Sequence, residues 1–152
     1  MTLNQFVEQR LGRDSDVGVL LWTMLVRSFG AGTFRDFWRY WNPVYGYWLH
    51  RFCYTPLRRT LPRPLCVIVT FACSGFFLHD LPFGWWVRAL KSHSLPVPFV
   101  ATWFVVMAVV MILADLFRVS LVRLPFAVRV SVNCAYIALS LLLTLYLLGF
   151  VA

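Results

Sequence analysis

Residues 34–80 read FRDFWRYWNPVYGYWLHRFCYTPLRRTLPRPLCVIVTFACSGFFLHD, and their reading decides the fold. The first half mixes aromatics and arginines in a proportion that suits neither a soluble core nor a plain membrane span. The second half is apolar, yet it carries His79 at a depth where lipid makes an ionisable group costly. An apolar run ending in a histidine and an aspartate reads as a membrane segment with a polar duty. The aromatic and basic half reads as a helical belt at its surface.

Composition places the rest of the chain in the same solvent. Of 152 residues, 61% are hydrophobic, and mean hydropathy is +0.73. A soluble chain of this length has too little interior for that much apolar surface. The expected fold is therefore all-α: a polytopic integral membrane protein in one domain. The net charge of +8 rests almost wholly on arginine. In an apolar chain this points to orientation across a bilayer and to anionic headgroups, with membrane lipids as partners. Nucleic acid is not an expected partner, since no basic segment stands clear of apolar neighbours.

Taken in order, residues 1–16 predict an amphipathic surface helix. Residues 17–29 are apolar but fall short of the ~20 residues that cross a bilayer, so they predict a short interfacial helix or a fourth membrane segment. Thr33-Phe-Arg-Asp36 has the form of a helix-starting cap. From there Phe34, Phe37/Trp38, Trp41, Tyr45, Trp48 and Phe52 recur at helical steps. Arg35, Arg39 and Arg51 lie off that stripe, which predicts interfacial helices over 33–59 with aromatics as anchors. Asn42-Pro43 interrupts them, because the residue before proline is biased away from helical geometry. Three transmembrane helices are expected over 65–86, 97–117 and 130–152, with Trp85, Trp86 and Trp103 as further interface anchors.

Cation counts orient these segments. Six arginines lie in 30–64 and three more (Arg118, Arg123, Arg129) between the second and third spans, against Arg88 and Lys91 after the first. The aromatic–basic belt is thereby expected on the cytoplasmic side and the C-terminus on the other. The N-terminus lacks a basic stretch running into an apolar core and a small-residue cleavage site, so no cleaved signal peptide is expected. The four cysteines form no CxxC pair; three of them lie in or beside apolar runs and read as small buried apolar side chains, and Cys53 reads as a packing residue with lipidation or a nucleophile's role as the alternative.

Few residues carry a chemical signal. His79 lies 14 residues into its span, roughly 21 Å along a helix at ~1.5 Å per residue. A neutral imidazole is tolerable at that depth and can accept a proton near pH 7, as a general base does. Asn42 before Pro43 is a favoured helix cap, which by itself needs no chemical role. His50, His79 and His93 lack ligand spacing, so no metal is expected. Ser74, His79 and Asp80 suggest a triad, but positions five apart on an α-helix diverge. Asp115 and Arg118 read as a local ion pair.

The segment FWRYWNPVYGYWLHRFCYTPLRR followed by an apolar run ending SGFFLHD resembles the catalytic segment of the membrane-bound O-acyltransferase family. Its diacylglycerol-acyltransferase and wax-synthase branches are the most similar. Phe37, Trp38, Trp41 and Asn42 fall on that family's first motif; Ser74, Gly75, Phe76, Phe77 and His79 fall on its second. The likeness covers residues 34–80, about a third of the chain. It implies O-acyl transfer from an acyl thioester, either acyl-CoA or an acyl-carrier-protein thioester, to a hydroxyl of a lipid alcohol or glycan. His79 and Asn42 would be catalytic, Trp38, Arg39, Trp41 and Ser74 would contact substrate, and no further cofactor would be needed. Family members carry many more spans, so a homo-oligomer or a partner membrane subunit would complete the walls of the site. The rival expectation is a non-enzymatic membrane subunit or scaffold, or a lipid-binding or transport component.

Overall fold

The computed structural model describes residues 1–13, 16–82 and 98–150, which are helical throughout apart from turns and connections. Helix α1 (Leu3–Leu11) opens with a reciprocal capping box between Thr2 and Gln5. Helix α2 (Val17–Phe29) is capped by Asp16, and its 13 mostly apolar residues make it the short helix expected. Helix α3 (Phe34–Tyr40) begins where Thr33 accepts a hydrogen bond from the Asp36 amide at 3.0 Å. Helix α4 (Pro43–Leu49) follows after the break at Trp41-Asn42 and runs on through a wide π-helical turn, His50–Tyr54, into Thr55–Leu57.

Helix α5 (Arg63–Gly75) is α-helical for 13 residues and then widens into a second π turn, Phe76–Asp80. The first predicted span is thus not one regular helix. Its last residues, 83–86, lie outside the described residues, as do Trp85, Trp86, Arg88, Lys91 and His93. Helices α6 (Phe99–Leu116) and α7 (Phe126–Leu147) are long and apolar enough to cross a membrane, with mean hydropathies of 2.4 and 1.9. At ~1.5 Å per residue they reach about 27 and 33 Å, close to the ~30 Å of a hydrocarbon core. The described helices therefore include two of spanning length where three were expected. Helix α7 also starts four residues earlier than the hydropathy suggests, because Pro125 sets the first turn and Arg129 is carried inside it.

The core corrects the reading of the aromatic stripe. Phe34 and Phe37 are buried with Ala31, Met107 and Met111, and Trp38, Trp41, Trp103, Phe104 and Tyr136 pack around them. Phe34 stacks on Tyr136 of α7 at 4.7 Å, and Phe37 stacks on Trp41 at 5.6 Å. The stripe divides at Asn42: rings before it fill the interior, whereas Tyr45, Trp48 and Phe52 after it are exposed. Trp103 likewise packs inward and donates its indole N–H to Ser140 of α7 at 3.2 Å.

Long-range polar contacts lock the elements. Asn133 in α7 is fully buried and donates to the carbonyls of Phe29 and Ala31 at 2.8 and 3.1 Å, satisfying the end of α2. Asp115 does not pair with Arg118; its carboxylate receives the Arg35 guanidinium of α3, with Nε at 2.7 Å. Arg118 instead ends α6 with φ of 54°. The Leu121 amide donates to Gly32 at 2.8 Å. Both arginine-rich segments therefore meet at one end of the α6–α7 pair.

Candidate functional site

A cavity of about 560 Å³ opens among α1, α3, α4, α5 and α6. Asn42, His79, Trp38, Arg39, Trp41 and Ser74 all line it, so the residues singled out in the sequence share one space although they come from α3, the break that follows it, α5 and the π turn after α5. Val67, Phe71, Phe104 and Met111 make much of the wall apolar. Arg10, Arg35, Arg63, His50 and Tyr54 also line it. Sequence reading missed these five as site residues. Of them Arg35 and Arg63 stood out only as charges that set orientation, and His50 only as a histidine without metal-ligand spacing.

The geometry of His79 follows from the π turn. Widening the helix brings positions five apart onto one side. The His79 Nδ1 lies 3.1 Å from the Ser74 carbonyl oxygen, five residues back. A carbonyl can only accept, so this contact assigns the proton to Nδ1 and leaves the Nε2 lone pair as the basic atom. The ring rests beside Phe104, centroids 5.1 Å apart. Ser74 thus serves His79 through its backbone rather than its hydroxyl.

Asp80 has a separate task. It is buried, and its two carboxylate oxygens accept the Val100 and Ala101 amides, each at 2.7 Å. These are first-turn N–H groups of α6 with no intrahelical partner, and a carboxylate there also suits the helix dipole. With both oxygens so engaged, Asp80 is not the third member of a triad. The same junction needs Gly75: a Cβ there would lie 2.5 Å from the Ala101 Cα and 2.7 Å from its nitrogen. Only the missing side chain lets α5 and α6 meet backbone to backbone beside the site.

Asn42 occupies the left-handed region, with φ of 40° and ψ of 69°. Its Oδ1 accepts the Tyr45 amide at 3.2 Å, and its own amide donates to the Met24 sulfur at 3.3 Å. Asparagine suits both demands, since it tolerates this backbone and caps the next helix. Its Nδ2 makes no hydrogen bond among the described residues. The Trp38 indole N–H is buried and equally without an acceptor. The Asn42 Nδ2 and the Trp38 indole N–H thus have no acceptor among the described residues, and both residues line the same cavity as His79.

The charges of the cavity are one-sided. Arg35 is neutralised by Asp115, but Arg10, Arg39 and Arg63 have no carboxylate within ion-pair distance among the described residues. Arg10 lies against the Phe6 ring, with Cζ 3.3 Å from its centroid. Burial, and then the neighbouring charge of Arg39, push its pKa down to about 10. No group of three or more histidine, cysteine or acidic side chains suited to a metal occurs among the described residues. No protein-family model matches the chain, and it matches neither a curated protein nor a solved structure.

Proposed function

We propose that the protein is a membrane-embedded O-acyltransferase that moves an acyl group from a thioester to a hydroxyl acceptor. The observation that carries the reading is His79: its Nδ1 is committed to the Ser74 carbonyl, which leaves Nε2 for a ligand, on the same cavity as Asn42. In the proposed step Nε2 takes the proton of the acceptor hydroxyl as its oxygen attacks the thioester carbonyl carbon. The carbon–sulfur bond then breaks, and the leaving thiolate takes the proton back from His79. Asn42 Nδ2 and Trp38 Nε1 are the donors that would stabilise the oxyanion formed between these events. Trp41, Arg39 and Ser74 would contact the substrates.

In this reading α6 and α7 cross the bilayer, the arginine-rich end faces the cytoplasm, and α5 with its π turn lies in the membrane alongside α6. The donor is acyl-CoA or an acyl-carrier-protein thioester and the acceptor a lipid alcohol or glycan. A second copy or a partner membrane subunit completes the wall. The test is turnover by purified protein with acyl-CoA and a hydroxyl acceptor, comparing wild type with His79→Ala at matched folding. General-base loss predicts a fall of about 100-fold or more. Equal turnover in the two proteins would exclude the His79 mechanism. Binding of acyl-CoA without turnover would favour a lipid-binding component.

A further inference from the structure

The arginines of the cavity raise a question that acyl transfer leaves open. A guanidinium taken partly out of water is costly without an anion to meet it. Arg10 is in that position: its Nε and Nη1 are sealed from solvent and have no acceptor among the described residues. Its Cζ is set on the Phe6 ring of the same helix, and Phe6 packs edge-on against Tyr47 of α4 at 5.4 Å. Arg39, on α3, opens onto the same cavity. Among the described residues no aspartate or glutamate lines that cavity, and of its lining arginines only Arg35 is held by a carboxylate, that of Asp115.

We propose that Arg10 and Arg39 form an anion seat for the phosphate of an amphiphile whose apolar chain lies along Val67, Phe71 and Phe104. A guanidinium presents forked donors that match phosphate oxygens, and an aromatic ring under Arg10 holds one fork in place. The surroundings of Arg10 agree in sign: burial and Arg39 both disfavour its charge, and a bound anion relieves both. The apolar lining suits a hydrocarbon chain and excludes a free nucleotide or inorganic phosphate as the complete ligand. The inference rests on the cavity being a ligand site, and its readout is binding, so it stands or falls independently of turnover.

The experiment is quenching of tryptophan fluorescence in the purified full chain, with dodecyl phosphate and dodecanol as paired probes. The phosphate is expected to bind at least about tenfold more tightly than the alcohol, the scale of one or two charge-assisted hydrogen bonds. Arg10→Gln and Arg39→Gln are each expected to remove most of that preference, and Arg10→Lys to keep part of it. Arg123→Gln, which removes the same charge from an exposed residue outside the cavity, is expected to leave it intact. Lauroyl-CoA is the third probe. Tighter binding of lauroyl-CoA assigns the seat to a thioester donor, and tighter binding of dodecyl phosphate assigns it to a lipid phosphate; both support the seat. Equal affinity for phosphate and alcohol would overturn it, as would an equal loss of preference in Arg123→Gln. Should Arg10→Gln fail to fold, Arg39→Gln decides, since its side chain lies in an exposed residue of α3.

Discussion

Three side chains offer unspent bonding capacity to the cavity: the His79 Nε2, the Asn42 Nδ2 and the Trp38 indole N–H. Each can be tested without losing the scaffold. Asn42→Ala is expected to cost about 1–2 kcal/mol of stability, since it removes a cap at a left-handed position. Asn42→Gly should cost only a few tenths of that unit for the cap, because glycine accepts both the cap position and a φ of 40°. A loss of turnover in the glycine variant would then report on the amide itself. Trp38→Phe removes the N–H together with one ring of a side chain packed edge-on against Phe71; the expected outcome is a lower kcat with a lowered thermal midpoint from the space left behind. Ser74→Ala is expected to retain turnover, because the Ser74 carbonyl, not the hydroxyl, holds His79.

At the scale of elements, the junction between α5 and α6 sets where His79 sits. Gly75→Ala would drive a methyl into the Ala101 backbone, and overpacking of this kind costs about 1–3 kcal/mol. Asp80→Ala would strip one buried and one part-buried amide of their acceptor, at about 1–3 kcal/mol for the buried one if water does not replace it. Denaturation in detergent checks both, and both are expected to lower activity through displacement of the π turn. These features mark the boundary of what the sequence discloses. The Thr33 cap and the Asn42-Pro43 break are local signals, carried within four residues, and the helices begin where those signals lie. The π turns are not legible that way, since Phe76–Asp80 widens in the company of α6, whose amides Asp80 holds from 20 residues away. Asn133 was silent for the same reason: the carbonyls it satisfies lie more than 100 residues earlier.

Across the whole molecule, apolar content foretold the all-helical architecture and the two long helices, because a run of lipid-compatible residues is self-evident in a chain. It did not separate rings that face lipid from rings that face protein. Phe34 and Phe37 share a helical stripe with Trp48 and Phe52, yet only the first pair is buried. Charge counted along the chain did not disclose which arginines line the cavity. Arg10 lies in an unremarkable amphipathic helix, and only the packing of α1 on α4 turns it toward the cavity. The Arg35–Asp115 pair ties the basic belt to the end of a long helix. Asp115→Ala would leave a half-buried guanidinium without its partner and is expected to destabilise the protein more than Arg118→Ala, by thermal melting in detergent. If His79 and Asn42 act on one substrate in one cavity, a double-mutant cycle on turnover will show it. His79→Ala and Asn42→Gly are each expected to lower kcat/KM, with the double variant hardly worse than His79→Ala alone, because groups that serve one transition state are not additive. Losses that simply multiply, or wild-type turnover in His79→Ala, would contradict it.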